Sequence, residues 1–185
     1  MVLVDGQFLR VFGEDFTPFS GNLSLSNRSA DFNLHEAYVS MGNMFDTPFS
    51  LTVGRQKVVF ADEWLFGDYD FYGGTSHDGF VMNFDTELVQ VYPFWVKLAE
   101  ADLPELNAIP GFVDAAGDLD AYAVWTAWNL PGDQTLDSGI VYALNRLPTL
   151  GAPFTDKRWT FAGQYSYGGA TGLQVDVNAA TQWGT

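Results

Sequence analysis

The chain has 185 residues, with 23 acidic and 8 basic side chains and a formal net charge of −15. This charge argues against binding to nucleic acid, whose phosphates require a basic surface, and against docking on an anionic membrane leaflet. Cysteine is absent, so the chain has neither a disulfide framework nor a thiolate metal site.

The hydropathy of the chain is near neutral, with a mean of −0.01, and no apolar run reaches the roughly 18 residues of a spanning helix. A transmembrane β-barrel has the same average, because its strands alternate apolar residues facing lipid with polar residues facing the interior. Aromatic residues make up 16% of the chain, which agrees with the aromatic girdles of such barrels. Soluble β-sandwiches can be equally aromatic, so both architectures are candidates.

The first ten residues, MVLVDGQFLR, contain no basic segment followed by an apolar stretch and are not a signal peptide. An exported barrel requires one, so we expect either that it has been removed or that the chain is part of a longer protein. The ending Trp183, Gly184, Thr185 favours a partial barrel, because outer-membrane barrels commonly end on an aromatic residue.

Large apolar residues alternate with small or polar ones along much of the chain, which is the period of a strand with two unlike faces. The segment 158–167 is the clearest case, with Trp159 and Phe161 on one face and Thr160 and Gln164 on the other. The pattern predicts ten strands, at residues 2–12, 19–26, 32–41, 49–59, 79–84, 88–98, 119–128, 135–145, 158–167 and 173–183.

From residue 43 onwards, short turns alternate with long loops at 60–77, 99–117 and 146–156. Short periplasmic turns and longer external loops are typical of an outer-membrane meander. The polar faces carry Gln, Asn, Ser and Thr, which suits a hydrated lumen better than a sandwich surface in bulk water. The sequence therefore predicts an all-β fold, an antiparallel transmembrane β-barrel of about 8–10 strands. These strands either form the whole barrel or are part of a larger barrel. Residues 1–185 form one barrel domain or barrel segment in this interpretation.

A series of short motifs lies between residues 36 and 80: Glu36-Ala37-Tyr38-Val39, Gly54-Arg55-Gln56, Phe60-Ala61-Asp62, Leu65 and Asp78-Gly79. In this order they resemble the signature of the alginate-export family of bacterial outer-membrane β-barrels, over roughly a quarter of the chain. The resemblance implies a porin of the bacterial outer membrane that passes polysaccharide or small hydrophilic solutes passively. Trp64 and Thr75 stand where two family arginines are expected.

The predicted pore-lining residues follow from the motifs and from the strand pattern. Arg55 is in phase with Leu51 and Val53, which would place a charge toward lipid at a cost of about 2–4 kcal/mol at mid-bilayer. It therefore lies near the interface, or a bulge at Gly54 turns it into the lumen, and the resemblance favours the lumen. The full predicted set is Arg55, Gln56, Asp62, Asp78, Arg158, Gln164 and Asp176.

The charge of the predicted lumen bears on the cargo. The inward-facing candidates Asp120, Asp137 and Asp176 outnumber the cations Arg55 and Arg158. A polyanion such as alginate needs a positive path, because an unpaired like charge is expensive to pass beside a low-dielectric wall. The sequence therefore predicts a neutral-to-negative wall, for which neutral sugars or cations are as plausible as alginate.

The first long loop carries two further features. Its apolar residues are too many for a free external loop, which predicts that it folds inward or packs on the barrel rim. Its acidic residues could hold Ca²⁺, although their spacing is not that of a known calcium loop, and a solvated acidic loop is the alternative. The apolar set is Trp64, Leu65, Phe66, Tyr69, Phe71 and Tyr72, and the acidic set is Asp62, Glu63, Asp68 and Asp70.

Catalysis is not predicted. The two histidines, His35 and His77, have no nucleophile-elbow sequence, although a barrel enzyme of the outer membrane is a lesser alternative. No cofactor is expected, and the expected partners are outer-membrane lipid and the solute. In the competing class, a soluble β-sandwich carbohydrate-binding module, Trp64, Trp95 and Trp128 would stack on sugars.

Overall fold

A computed structural model describes residues 1–9, 31–61, 63–67, 75–102, 116–146, 155–168 and 174–185. The predicted strand at 19–26 lies outside these ranges. No helix of the described residues is long and apolar enough to cross a membrane. The described strands are β1 (Val2–Leu9), β2 (Asp31–Met41), β3 (Phe49–Gln56), β4 (His77–Asp85), β5 (Val89–Asp102), β6 (Ala116–Leu130), β7 (Gln134–Asn145), β8 (Asp156–Gly168) and β9 (Gln174–Gly184), with one 3₁₀ turn at Met44–Asp46.

These nine strands form one antiparallel sheet in which each strand pairs with the next strand along the chain. The predicted all-β class and the antiparallel meander are confirmed. β1 and β9 are the two edges of the sheet and do not pair with each other, so the described strands do not close into a barrel. They also form no second sheet that could pack on the first, so the sandwich alternative does not describe their arrangement.

Short and long connections alternate between the two ends of the sheet, as predicted. The turn at 86–88 is closed by Thr86, whose hydroxyl donates to the Val89 carbonyl (2.7 Å) and accepts from the Val89 amide (3.0 Å). The turn at 131–133 uses positive φ at Gly132 (77°) and Asp133 (55°), which glycine adopts freely and aspartate tolerates. From β2 onwards, the short connections are 42–48, 86–88, 131–133 and 169–173, and the long ones are 57–76, 103–115 and 146–155.

The sheet has two unlike faces. Phe161 is 51% exposed and its neighbour on the opposite face, Gln164, is 5% exposed, which confirms the facing predicted for this strand. We call the face of Phe161 the apolar face and the face of Gln164 the covered face. Across the strands the apolar face includes Val39, Val53, Phe80, Trp95, Tyr122, Val124, Ile140, Tyr142, Trp159, Val177 and Trp183.

One row of aromatic side chains runs across the apolar face, and we call it the aromatic row. Each member lies directly opposite the next on the neighbouring strand, and several rings are in contact. The Tyr142 and Trp159 ring centroids are 4.7 Å apart, and those of Phe80 and Trp95 are 6.0 Å apart. The row consists of Phe80, Trp95, Tyr122, Tyr142, Trp159 and Trp183.

After β3 the chain turns onto the covered face, and we call residues 57–61 and 63–67 the inner loop. The Phe60 amide donates to the Phe66 carbonyl (3.1 Å), which closes this loop on itself. The Phe60 ring stacks on Phe94 and Trp125, with centroid distances of 5.3 and 5.7 Å. Val58 and Phe66 are 3% and 8% exposed, so apolar residues of the loop supply one side of a small core.

The predicted inward fold of the first long loop holds for Leu65 and Phe66, which pack against this core, whereas Trp64 is 36% exposed. The other apolar residues of that prediction, Tyr69, Phe71 and Tyr72, lie outside the described residues. The sheet side of the core is Phe94, Val96, Ala121, Ala123, Trp125, Val141 and Ala162.

Replacing Gly139 with alanine should lower the free energy of unfolding by about 1–3 kcal/mol, the usual cost of overpacking a core. A Cβ at this position would lie 2.2 Å from the indole ring of Trp125, which is fully buried. Guanidinium unfolding of the wild-type and variant proteins, followed by near-UV circular dichroism, measures the loss. Gly42→Ala is the matched control, since nothing lies within 4 Å of its Cβ position, and equal stability of the two variants would contradict this packing.

Candidate functional site

The covered face carries the polar groups that could meet a solute. Four of the predicted pore-lining residues lie there: Gln56, Arg158, Gln164 and Asp176. Gln56 is 5% exposed, and its amide nitrogen donates to the Gly79 carbonyl (3.4 Å). The Arg158 Nε lies 2.6 Å from the Asp156 Oδ2, so this cation is already neutralised.

Two other predicted pore-lining residues, Arg55 and Asp78, lie opposite each other on the apolar face. They form a bidentate ion pair, with the Arg55 Nε 3.0 Å and a terminal guanidinium nitrogen 2.5 Å from the Asp78 carboxylate oxygens. The expected bulge is absent, because the pairing of β3 with β2 and β4 runs through Gly54 without a register shift. The Arg55 side chain therefore lies on the same face of the sheet as Val53, the apolar face. The last predicted residue, Asp62, lies outside the described residues.

The Arg55 pair begins a row of ion pairs beyond the aromatic row, on the side of the long connections. The Lys97 ammonium lies 3.3 Å from the Asp118 carboxylate, and the Arg146 guanidinium lies 2.5 Å from Asp120. Three cations and three carboxylates balance within this ionic row, which consists of Arg55, Asp78, Lys97, Asp118, Asp120 and Arg146.

The expectation that Asp120 faces inward is wrong. Asp120 pairs with Lys97 and Leu144 on neighbouring strands and shares the apolar face with Tyr122. It is 2% exposed, and it accepts hydrogen bonds from Arg146 and from the Trp95 indole nitrogen (3.2 Å). A buried carboxylate is tolerated when it is hydrogen-bonded and paired in this way.

The fixed charge of the covered face is negative on strands β3–β9. Asp137 accepts from the Trp125 indole nitrogen (3.4 Å), and Asp176 accepts from the Gln174 amide (3.1 Å). The described side chains of this face include four carboxylates, Asp85, Asp137, Asp156 and Asp176, and one guanidinium, Arg158. Such a face attracts cations and repels polyanions.

A cavity of about 300 Å³ lies between the inner loop and the covered face. Its wall is mainly apolar, from Phe66, Leu98 and Val141, with the hydroxyl of Thr160 and the imidazole of His77. Burial lowers the pKa of His77, while its bond to the Lys97 backbone and the charge of Asp78 oppose this shift to a smaller extent. The imidazole is therefore biased toward its neutral form.

No protein-family model matches the chain, and no curated protein or solved structure matches it. The resemblance to the alginate-export family therefore stays an expectation that rests on the motifs between residues 36 and 80. Function has to be argued from the two faces of the sheet and their side chains.

Proposed function

We propose that this sheet is part of the wall of an outer-membrane β-barrel, a passive channel of the alginate-export type for polysaccharide or small hydrophilic solutes. The observation that carries the proposal is the exposure of the apolar face. Val53, Val177, Phe161 and Trp183 are 45–54% exposed, and they lie on three different strands, β3, β8 and β9. Continuous apolar patches beyond a few hundred Å² are rare on soluble monomers, whereas a lipid-facing wall requires one.

The extent of the apolar face fits a bilayer. On β8 it runs over the nine residues from Trp159 to Tyr167, and a tilted transmembrane β-strand needs about 9–11 residues. An outer-membrane barrel needs an apolar band about 25 Å tall with aromatic residues at both borders. Trp159 would lie at one border, and Tyr165 and Tyr167 at the other. The ionic row lies beyond Trp159, where paired charges are tolerated better than at mid-bilayer.

The covered face supplies the interior of the proposed channel. On β8 and β9 this face carries uncharged polar side chains such as Thr160, Asn178 and Gln182, which suit a hydrated path. The inner loop lies on this face against Phe94 and Trp125, so it would narrow the path from within. Selectivity would then follow from the width at the loop and from the charges of the wall.

The free edges of β1 and β9 add a requirement. Backbone amides and carbonyls without partners are costly in hydrocarbon, so only closed barrels and helices span membranes. The proposal therefore includes further strands that pair with β1 and β9 and complete the wall.

Single-tryptophan variants in vesicles of brominated phospholipid test which face meets lipid. Bromine quenches indole fluorescence on contact, so a variant retaining only Trp159 should be strongly quenched. A variant retaining only Trp125, which is fully buried on the covered face, is the matched control and should be quenched little. Equal quenching of both, or a protein that stays folded and monomeric in plain buffer without lipid or detergent, would contradict the proposal.

A further inference from the structure

Strands β1 and β2 bring together three side chains with metal-binding groups: Asp5, His35 and Glu36. One ligand atom from each side chain lies within 4.8 Å of the other two. The cluster has no role in the channel proposed above, and it lies where β1, an edge strand, joins the sheet.

The cluster is produced by an irregularity in strand pairing. Asp5 pairs with Glu36, but the next residue, Gly6, pairs with Leu34, so His35 is the extra residue of a β-bulge. A bulge turns the extra side chain away from strict alternation. The imidazole of His35 thereby comes within reach of the two carboxylates rather than pointing away from them.

Two physical features of this cluster favour a bound cation. Asp5 and Glu36 are direct cross-strand partners, and like charges in that position are destabilising. His35 is only 7% exposed, so its imidazole is held in place beside the two carboxylates, with a ring nitrogen within 4.8 Å of an oxygen of each. A cation between them would bind the imidazole and offset the repulsion of the two carboxylates.

We propose that Asp5, His35 and Glu36 bind a divalent transition metal ion of the Zn²⁺ class. An imidazole nitrogen with two carboxylate oxygens is a donor set that Zn²⁺ accepts, and bonds of about 2.0–2.1 Å place neighbouring tetrahedral ligands about 3.3 Å apart. Glu36 is held by the Lys57 amide, which donates to one of its carboxylate oxygens (3.2 Å). The present separations would therefore close to that distance mainly by rotation of the exposed Asp5 side chain.

The ion would tie the edge strand β1 to β2 at the bulge, where the ladder of backbone hydrogen bonds is interrupted. Its two positive charges balance the two carboxylates, so the site as a whole is neutral. Binding to the folded protein alone raises the melting temperature. The bound ion would therefore stabilise the edge of the sheet, and its three protein ligands leave a fourth tetrahedral position for water.

Isothermal titration of the untagged full-length protein in detergent with zinc chloride tests the proposal. One Zn²⁺ per chain is expected, with a rise in melting temperature. Removing a ligand by His35→Ala should weaken binding by roughly tenfold or more, since loss of even an outer partner of a metal ligand costs 10–100-fold. His77→Ala, which changes the other histidine of the chain, should bind as the wild type does.

Asp5→Asn keeps the test decisive if the His35 variant does not fold. Asp5 is exposed, and an asparagine side chain has nearly the same shape as aspartate, so this variant should fold as the wild type does. It should lose both the zinc affinity and the zinc-dependent rise in melting temperature. A wild-type protein that binds no zinc would overturn the proposal, as would variants at Asp5 and His35 that bind it unchanged. Both outcomes are independent of whether the protein conducts.

Discussion

Replacing Phe60 with alanine should free the inner loop and increase the single-channel conductance of the full-length protein in planar bilayers. The Phe60 ring stacks on Phe94 and Trp125 and contacts Tyr92 at 5.2 Å. Truncating a packed phenylalanine costs about 3 kcal/mol or more. Because 1.4 kcal/mol is a factor of ten, the equilibrium between docked and undocked loop should shift by about two orders of magnitude.

Val59→Ala is the matched control for this experiment, because Val59 is the adjacent residue of the same loop and is 46% exposed. It should leave both conductance and stability close to those of the wild type. If Phe60→Ala conducts as the wild type does, with the loop released as judged by protease cleavage within residues 57–67, the loop does not narrow the path.

The channel should select for cations over anions, and removing two wall carboxylates should abolish most of that preference. Asp85 and Asp176 are exposed members of the covered face, whereas Asp156 is neutralised by Arg158. A unit charge 8 Å from a passing ion contributes about 0.5 kcal/mol in water. Each carboxylate favours a cation and disfavours an anion by this amount, so two of them contribute about 2 kcal/mol to the difference. Asp85→Asn with Asp176→Asn should therefore lower the cation-to-anion permeability ratio by roughly 30-fold at low salt. The reversal potential under a salt gradient measures this ratio.

Two control variants separate wall charge from charge elsewhere. Glu87→Gln removes one carboxylate from the exposed turn at 86–88, off the wall of the channel. Arg55→Ala removes a cation that pairs with Asp78 on the apolar face. Both should leave the permeability ratio unchanged. Clear anion selectivity of the wild type, weakened by Arg55→Ala, would instead favour a polyanion such as alginate as the cargo.

The strands themselves were predictable from the sequence because their alternation is strict. In β8 and β9 all of the large apolar residues fall on one face of the strand in the sequence pattern, and the structure places them on one face of the sheet. The ends of the strands were less predictable where two paired strands continue beyond the segment of clear alternation. β5 and β6 pair as far as Asp102 and Ala116, into residues whose composition indicated a loop, because each strand supplies the hydrogen-bond partners of the other.

The side-chain sites were harder to predict because they depend on pairing between distant parts of the chain. Asp120 was placed inward on polarity alone, although its parity with Tyr122 places it on the apolar face, where Arg146 and Trp95 satisfy it. The metal-binding cluster requires Asp5 to lie close to His35 across a bulge, and the sequence around neither residue indicates that register. The alternation of residues shows on which face of a sheet a side chain lies, but its neighbours on other strands depend on the register of pairing.

The aromatic row has a consequence for how the protein sits in a bilayer. Its members from Trp95 to Trp183 are directly opposite one another on successive strands, so the row runs perpendicular to the strands. Barrel strands tilt by about 35–45° from the membrane normal, and neighbouring strands are about 4.8 Å apart. Each step along the row then changes depth by about 3 Å, and the four steps from Trp95 to Trp183 amount to about 12 Å. In the proposed barrel the row would therefore run obliquely through the bilayer, with its two ends about 12 Å apart in depth.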